Sequence, residues 1–231
     1  FLERRALPFM REAVLFYQDF FTLGSDALYV SAPSNSPETS PGIEGGTETT
    51  MNATMDFAIA KEVITDLIAG AEVTGMYAEE LPAWKEMLRH IPPYQINPDG
   101  AAREWMHPFY PDNYHHRHES HLYPVFPGFE VTPEEQPELF RAFNVAVEKR
   151  LVIGLKEQSG WSMAHMANVY ARSGDGAQAL DCLGIMARFC VLNNFYTVHN
   201  DWRDMGIGVD MATAPFQIDA NMGWTAAVQE M

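Results

Sequence analysis

The stretch GWSMAHMANVYARSGDGAQALDCLGIMARFCVL, residues 160–192, predicts two helices joined by a tight turn. One helix is expected at about 162–172 and the other at about 177–192. Between them lies Ser-Gly-Asp-Gly, and a short cluster of such residues between two longer segments is typical of a turn. The stretch therefore indicates a helical hairpin and favours an all-α fold.

Further helices are predicted on both sides of this hairpin. The first has apolar residues three and four positions apart, at Phe9, Ala13, Tyr17 and Phe21. Thr132 is expected to cap another helix, with Pro133 at its first position and Glu135 completing a capping box. The remaining helices are expected at about 55–68, at about 84–90 and from about Asn221 onwards.

Short turns and long loops alternate between these helices. The segments at about 27–54 and 97–129 are rich in Pro, Gly, Ser and Thr or in His and aromatic residues, and little convincing strand is present. Long loops inside a compact domain are usually functional or disordered. The alternation suits paired helices around a ring, with one face that carries the long loops.

The composition limits the class of partner. The 231 residues contain 47% hydrophobic residues, enough for one sizeable core, and carry a formal net charge of −16. This acidic balance disfavours nucleic acid and anionic membranes as partners, and no apolar run reaches the length of a membrane span. Cys182 and Cys190 lie too far apart along one predicted helix for a disulfide, so they are expected to be core thiols.

The chain opens without Met in the middle of a helical pattern and stops where another helix begins. We therefore expect a piece of a longer protein, and the localisation stays open.

The segment SAPSNSPE, residues 31–38, places two prolines just before Glu38. Stiff backbone of this kind can hold a carboxyl group at a set position. The alternative is a loop whose serines and prolines only form turns.

The segment HHRHESH, residues 115–121, contains four of the eight histidines of the chain. With Glu119, its imidazoles could form a zinc or iron site, although Arg117 would repel a cation and the His-Glu-x-x-His signature is missing. Packed loop histidines, or recognition of a neutral ligand, are the alternatives.

The segment PFQIDANMGWT, residues 215–225, carries Asp219 just before a predicted helix start. Its neighbours Phe216 and Ile218 indicate that Asp219 is partly buried, where a helix N-terminus would stabilise its charge. An ordinary N-cap is the alternative role.

Taken in order, SAPSNSPE, HHRHESHLYPVFPG, GWSMAHMANVYARSGDGAQAL and APFQIDANMGWTAAVQEM resemble the catalytic domain of glycoside hydrolase family 95, the inverting α-L-fucosidases. The resemblance covers nearly all of residues 1–231 and implies one partial catalytic domain without a second domain. It implies an (α/α)6 toroid, of which this chain would be the C-terminal half or somewhat more. No cofactor or metal is expected.

The resemblance also implies roles for particular residues. Glu38 would be the general acid that protonates the leaving oxygen, and Asp219 would lie on the water side of the sugar. Arg117 and His118 would bind sugar hydroxyls, whereas His115, His116 and His121 are expected mainly to brace their loop. The family's Asp acts through a pair of asparagines in an Asn-x-Asn segment, which this chain does not contain. The chain alone is therefore expected to be a poor catalyst.

The departures from the family pattern are Thr39, Glu119 and Ala220, each next to an expected site residue. An insertion-like segment before APFQID brings His199 and Trp202 forward as further candidates, together with Asn221. The expected partners are a fucosylated oligosaccharide or glycan and the upstream part of the same domain. An extracytoplasmic or cell-surface location would agree with the resemblance.

Two other hypotheses stay open from the sequence. The first is a metal-dependent hydrolase that uses the loop from His115 to His121. The second is a non-catalytic carbohydrate-binding helical module, since MANVYARSGDGAQALDCL is similar to one tetratricopeptide repeat. That motif does not recur, and a single copy cannot build a solenoid.

Overall fold

The computed structural model describes all residues from Phe1 to Met231, and it is mostly helical. The seven α-helices are α1 (Leu7–Phe20), α2 (Thr54–Thr74), α3 (Leu81–His90), α4 (Pro137–Arg150), α5 (Gly160–Arg172), α6 (Gly176–Phe189) and α7 (Ile218–Glu230). The only ladder is an antiparallel pair of two-residue strands, β1 (Thr22–Leu23) and β2 (Tyr29–Val30), with Thr22 opposite Val30. The expected helical fold class is confirmed.

The chain forms two compact units. The first unit comprises Phe1–Gln95 and Arg103–Asp112, and the second comprises Ile96–Ala102 and Asn113–Met231. The first therefore contains α1 to α3, and the second contains α4 to α7. No helix is both long enough and apolar enough to cross a membrane.

The core of the first unit forms where α1, α2 and α3 meet. Leu7, Phe57, Ile64 and Trp84 are almost completely buried there. Gly70 permits a close approach between α1 and α2, because a Cβ atom at this position would lie 2.6 Å from Leu7 Cδ2. These contacts fix α2 against α1 and α3, and the first turn of α2 contributes to the candidate site.

The second unit is organised around α5, which packs against both α6 and α7. Ser159 caps α5 through a capping box with Ser162, and Asp175 caps α6 by accepting a hydrogen bond from the Gln178 N–H (3.0 Å). The predicted hairpin is thus confirmed, with a short turn at 173–175 between its helices. Cys182 and Cys190 are both buried and free, as expected.

Small residues bring α7 close to α5. A Cβ atom on Gly223 would lie 2.9 Å from the Ala164 Cβ and 3.1 Å from the Trp161 ring. Asn168 is buried between the helices and donates to the carbonyl of Gly223 (2.9 Å). The position of α7, which carries Asp219, is therefore set by α5.

The predicted start of α4 is wrong. The helix begins at Pro137 rather than after Thr132, with Gln136 at the N-cap position. Thr132 instead closes a separate turn, in which its hydroxyl accepts from the Glu135 N–H (3.3 Å) and its carbonyl accepts from the Gln136 N–H (3.1 Å). Pro137 then starts the helix, where its missing N–H costs nothing.

Candidate active site

Glu38 lies in the first unit, on a tight turn. Ser36 and Thr39 pair across this turn, and the Thr39 N–H donates to the Ser36 carbonyl (2.7 Å). Thr39 is buried, whereas Glu38 is exposed. The peptide bonds Ala32–Pro33 and Pro37–Glu38 are cis. The turn thus presents the Glu38 carboxyl group at the surface, on a backbone that is itself hydrogen-bonded.

The loop before Glu38 is attached to two carboxylates that the sequence reasoning missed. Asp56, in the first turn of α2, accepts hydrogen bonds from the hydroxyls of Ser31 (3.0 Å) and Ser34 (2.6 Å). Glu104, which is completely buried, accepts one from the Ser36 hydroxyl (2.8 Å). Burial raises the pKa of Asp56, and the two serine hydroxyls oppose that rise.

Arg117 lies in the second unit and lines a pocket of 310 Å³. The other lining residues are His115, His116, Val152, Ile153 and Glu157. His115 is exposed and belongs to the pocket wall, so it does not brace the loop from within. The pocket combines a guanidinium, imidazoles and a carboxylate, which are groups that bind hydroxyl-rich ligands.

His118 is half-buried and fixed against its neighbour. The His118 N–H donates to Nδ1 of His116 (3.1 Å), and the two rings meet edge to face with centroids 5.0 Å apart. His116 therefore has the bracing role that was expected of it. Arg117 and His118, adjacent in sequence, are both at least partly accessible to a ligand.

Beneath this loop lie two buried histidines, His121 and His165. Burial lowers the pKa of His121 well below its ordinary value, and the charges of Arg150 and His165 act in the same direction. Burial also lowers the pKa of His165 to about 4; the Phe126 carbonyl opposes this and His118 adds to it. Both rings are therefore neutral near pH 7 and support the loop from inside, as expected for His121.

Asp219 lies in the first turn of α7, which begins at Ile218 with Gln217 as the N-cap residue. The alternative in which Asp219 is itself the N-cap is therefore wrong. Its Oδ1 accepts from the Ala220 N–H (2.8 Å), within reach of the partial positive charge at the helix N-terminus.

The expected partial burial of Asp219 is also wrong. Asp219 is exposed, and Phe216 and Ile218 keep 53% and 58% of their surfaces accessible. Apolar neighbours indicated burial, but in this turn it is Ala220 that is buried against α5, where a Cβ atom on Gly160 would lie 3.2 Å from the Ala220 Cβ. The contact with α5 continues further along α7 at Gly223.

The three further candidates differ in surroundings. Asn221 accepts from the Thr197 N–H (3.2 Å) and donates to the Phe195 carbonyl (3.2 Å), so its side chain connects α7 to the preceding loop. His199 is half-buried, and its backbone bonds to Pro215 and Gly160. Trp202 is 39% exposed, with the Arg203 guanidinium 4.5 Å above its ring.

The structure brings Arg117 and His118 together in the second unit, which also contains Asp219, whereas Glu38 belongs to the first. The distance between the Glu38 and Asp219 carboxyl groups stays a prediction. No sequence signal identified Asp56 and Glu104, because their serine partners at 31, 34 and 36 are recognised as buried only in the structure.

No three His, Cys, Asp or Glu side chains are grouped so that they could hold one metal ion. In the histidine loop, His115 is exposed while His121 is buried. Their geometry lends no support to the metal-dependent alternative.

Carboxyl groups exposed on a loop turn and in the first turn of a helix, together with an arginine beside a pocket, are groups that a glycosidase can use. The chain belongs to glycosyl hydrolase family 95: the catalytic domain of that family matches residues 1–231. The family resemblance seen in the four motifs is thus confirmed.

Two relatives are similar over most or all of the chain. Alpha-L-fucosidase 2 of Arabidopsis thaliana is 33% identical over 241 residues, covering 100% of this chain and 27% of that protein. Probable alpha-fucosidase A of Aspergillus oryzae is 26% identical over 234 residues, covering 90% of this chain and 28% of that protein. The chain therefore spans about a quarter of the length of these relatives.

Proposed function

We propose that the protein containing this chain is an inverting glycosidase that removes terminal α-L-fucosyl residues, α-1,2-linked, from oligosaccharides or glycans. The observation that carries this proposal is the family match over all 231 residues, together with two relatives named as α-fucosidases. Because the chain covers 27% of the plant relative, the activity is proposed for the whole protein.

In the proposed mechanism, Glu38 gives a proton to the glycosidic oxygen as the bond to the sugar breaks. Its exposure on a fixed turn suits this role, because the acid must reach the substrate from a constant position. Asp219 helps to orient the attacking water on the opposite side of the sugar ring. An inverting enzyme then needs about 6.5 to 9.5 Å between the two carboxyl groups.

Arg117 and His118 would hold the sugar by its hydroxyl groups. The guanidinium donates several hydrogen bonds in a fixed plane, and the imidazole can donate or accept according to its tautomer. The placement of Arg117 in the wall of a 310 Å³ pocket supports this role. The ligand would be a fucosylated glycan, which is neutral at the sugar that is cleaved.

We further propose that the seven helices are part of an (α/α)6 toroid. The short α5–α6 turn, the long loop that carries Glu38 and the long loop that precedes Asp219 agree with such a ring of helical hairpins. Residues 1–231 alone should hydrolyse slowly, because the Asn-x-Asn segment implied by the family is not among them. Comparing turnover of the isolated chain with that of the longer protein tests this point.

The central experiment uses the whole protein and 2′-fucosyllactose. Proton NMR during hydrolysis should show β-L-fucose as the first product, as inversion requires. Glu38→Gln should lower kcat by roughly 10²- to 10⁴-fold, the usual contribution of a general acid. Glu44→Gln, an exposed carboxylate of the same long loop, is the matched control and should keep its activity. α-L-Fucose as the first product, or an unchanged rate in Glu38→Gln, would refute the proposal.

A further inference from the structure

In the loop that carries Glu38, three serine hydroxyls donate hydrogen bonds to two carboxylates. Ser31, Ser34 and Ser36 are 0%, 3% and 0% exposed, so their hydroxyls need partners inside the protein. Asp56 accepts from the first two, and Glu104 accepts from the third. Hydrogen bonds to ionised acceptors are shorter and stronger than neutral ones, and the 2.6 Å bond from Ser34 to Asp56 fits that description.

The two anchoring carboxylates lie on connected segments. The Thr54 N–H, at the start of α2, donates to the Glu104 carbonyl (2.9 Å), and the Thr54 hydroxyl donates to the Arg103 carbonyl (2.6 Å). The Met106 N–H donates to the Asn52 carbonyl (2.7 Å). The α2 N-terminus and residues 103–106 therefore form one hydrogen-bonded framework, and both Asp56 and Glu104 belong to it.

The backbone of the loop is hydrogen-bonded to the same framework and to the residues just before it. Ser34 pairs with Thr50 through bonds of 2.9 and 2.7 Å, and the Ser31 N–H donates to the Asn52 side chain (2.9 Å). The Ala53 N–H donates to the Ser34 hydroxyl (2.8 Å), and that hydroxyl donates a hydrogen bond to Asp56. Ser34 thus connects the loop, the start of α2 and the Asp56 carboxylate through successive hydrogen bonds.

Glu38 takes its position from this arrangement. It is two residues after Ser36, inside the turn that the Thr39 N–H closes onto the Ser36 carbonyl. A shift of Ser36 therefore moves the Glu38 carboxyl group with it. General acid catalysis is sensitive to such shifts, because a misplacement of about 1 Å can cost roughly 10²-fold in rate.

We propose that Asp56 and Glu104 are positioning residues for the general acid Glu38, acting through the hydroxyls of Ser31, Ser34 and Ser36. Neither carboxylate takes a proton from the substrate or gives one to it. This inference rests on the proposed function, in which Glu38 is the acid. The inference adds Asp56 and Glu104 to the site, and both residues lie outside the four family motifs.

The test compares two substrates in the whole protein. 2′-Fucosyllactose has a sugar leaving group that needs a proton, whereas fluoride leaves α-L-fucosyl fluoride without one. Ser36→Ala should lower kcat on 2′-fucosyllactose by roughly 10- to 100-fold with KM nearly unchanged. On the fluoride it should change kcat by less than about 3-fold, since the acid contributes little there. A purely structural role would lower both rates together.

The second pair of variants addresses Asp56. Asp56→Ala removes the acceptor for two serines and should show the same selective loss. Asp56→Asn keeps a carbonyl oxygen at that position and should restore most of the rate on 2′-fucosyllactose. Thr47→Ala removes an exposed hydroxyl that bonds within the same loop (3.0 Å to the Thr49 carbonyl), so it should leave both rates unchanged.

Glu38→Gln, measured in parallel, separates this inference from the proposed function. If Glu38→Gln does not itself spare the fluoride, the acid assignment fails. If Glu38→Gln spares the fluoride but the Ser36→Ala and Asp56→Ala variants lose both rates equally, or lose neither, the positioning role is overturned. Fluoride turnover and a melting curve report folding for every variant. If Ser36→Ala does not fold, the comparison of Asp56→Ala with Asp56→Asn tests the positioning role instead.

Discussion

Acidification should destabilise the protein through the buried ring of His165. This residue of α5 is 6% exposed and stacks on Trp161 with ring centroids 5.2 Å apart. Burial holds its pKa at about 4, whereas the ordinary value is 6.5. Between these two values the unfolded chain binds a proton at this site and the folded protein does not. The free energy of unfolding therefore rises with pH in this window and falls as the pH drops from about 6.5 towards 4.

The size of the effect follows from the gap between the two pKa values. At about 1.36 kcal/mol per pKa unit, the complete effect of His165 is roughly 3 kcal/mol, and roughly 2 kcal/mol is lost between about pH 7 and pH 5. That is a large part of the roughly 5 to 15 kcal/mol by which domains are usually stable. His121, whose pKa is also lowered, adds to the loss in the same direction.

Urea unfolding at a series of pH values measures this contribution. His165→Gln cannot take up a proton, so its free energy of unfolding should depend less steeply on pH than that of the wild type, by roughly 2 kcal/mol between about pH 7 and pH 5. His115→Gln removes an exposed ring from the histidine loop and serves as the matched control. Equal pH dependence in His165→Gln and the wild type would show that this ring is not the source of the acid sensitivity.

Two further predictions concern stability. Arg172→Ala should cost about 1.5 to 3 kcal/mol in urea unfolding, because it leaves the partly exposed Glu230 without its double ion pair (2.8 and 3.0 Å) and removes the guanidinium 3.7 Å above Phe129. Arg172→Lys should recover part of that loss, and a cost below about 0.5 kcal/mol would contradict the expectation. Gly223→Ala should destabilise the protein by about 1 to 3 kcal/mol, since its Cβ would lie 2.9 Å from the Ala164 Cβ. Its control, Gly184→Ala, is also in a helix but has open space around it, so it should stabilise the protein by about 0.5 to 1 kcal/mol. Melting curves that rank the two variants the other way would refute the packing argument.

Features that depend on local sequence were predicted well. The α5–α6 hairpin follows from a turn sequence and from two caps, each of which bonds to a residue three positions further along the chain. The start of α4 failed although its capping pattern is also local, because Thr132 satisfies a separate turn before Pro137 opens the helix. A capping pattern identifies hydrogen bonds that can form and does not decide which turn uses them.

Features that depend on distant partners were not predictable in the same way. The bond from Ser36 to Glu104 spans 68 residues, and the N-terminus of α7 is set by Gln217, which accepts from the Trp161 N–H across 56 residues. Glu104 lies outside the motifs of the sequence, and the motif that contains Gln217 does not indicate that its side chain bonds to Trp161. The family resemblance supplied Glu38 and Asp219 as expected site residues, but it did not supply the groups that hold them.

The two carboxyl groups of the proposed mechanism are held by different kinds of interaction, and this difference has a kinetic consequence. Glu38 depends on polar bonds from loop serines to buried carboxylates, whereas Asp219 depends on the packing of α7 against α5, where small residues such as Gly223 allow close contact. Every substrate of an inverting enzyme needs the attacking water, but only those with poor leaving groups need the acid. Changes in the α5–α7 contact should therefore slow 2′-fucosyllactose and fucosyl fluoride alike, while changes in the serine anchors should separate the two substrates. The ratio of the two rates thus reports which carboxyl group a substitution has displaced, even when the substituted residue touches neither.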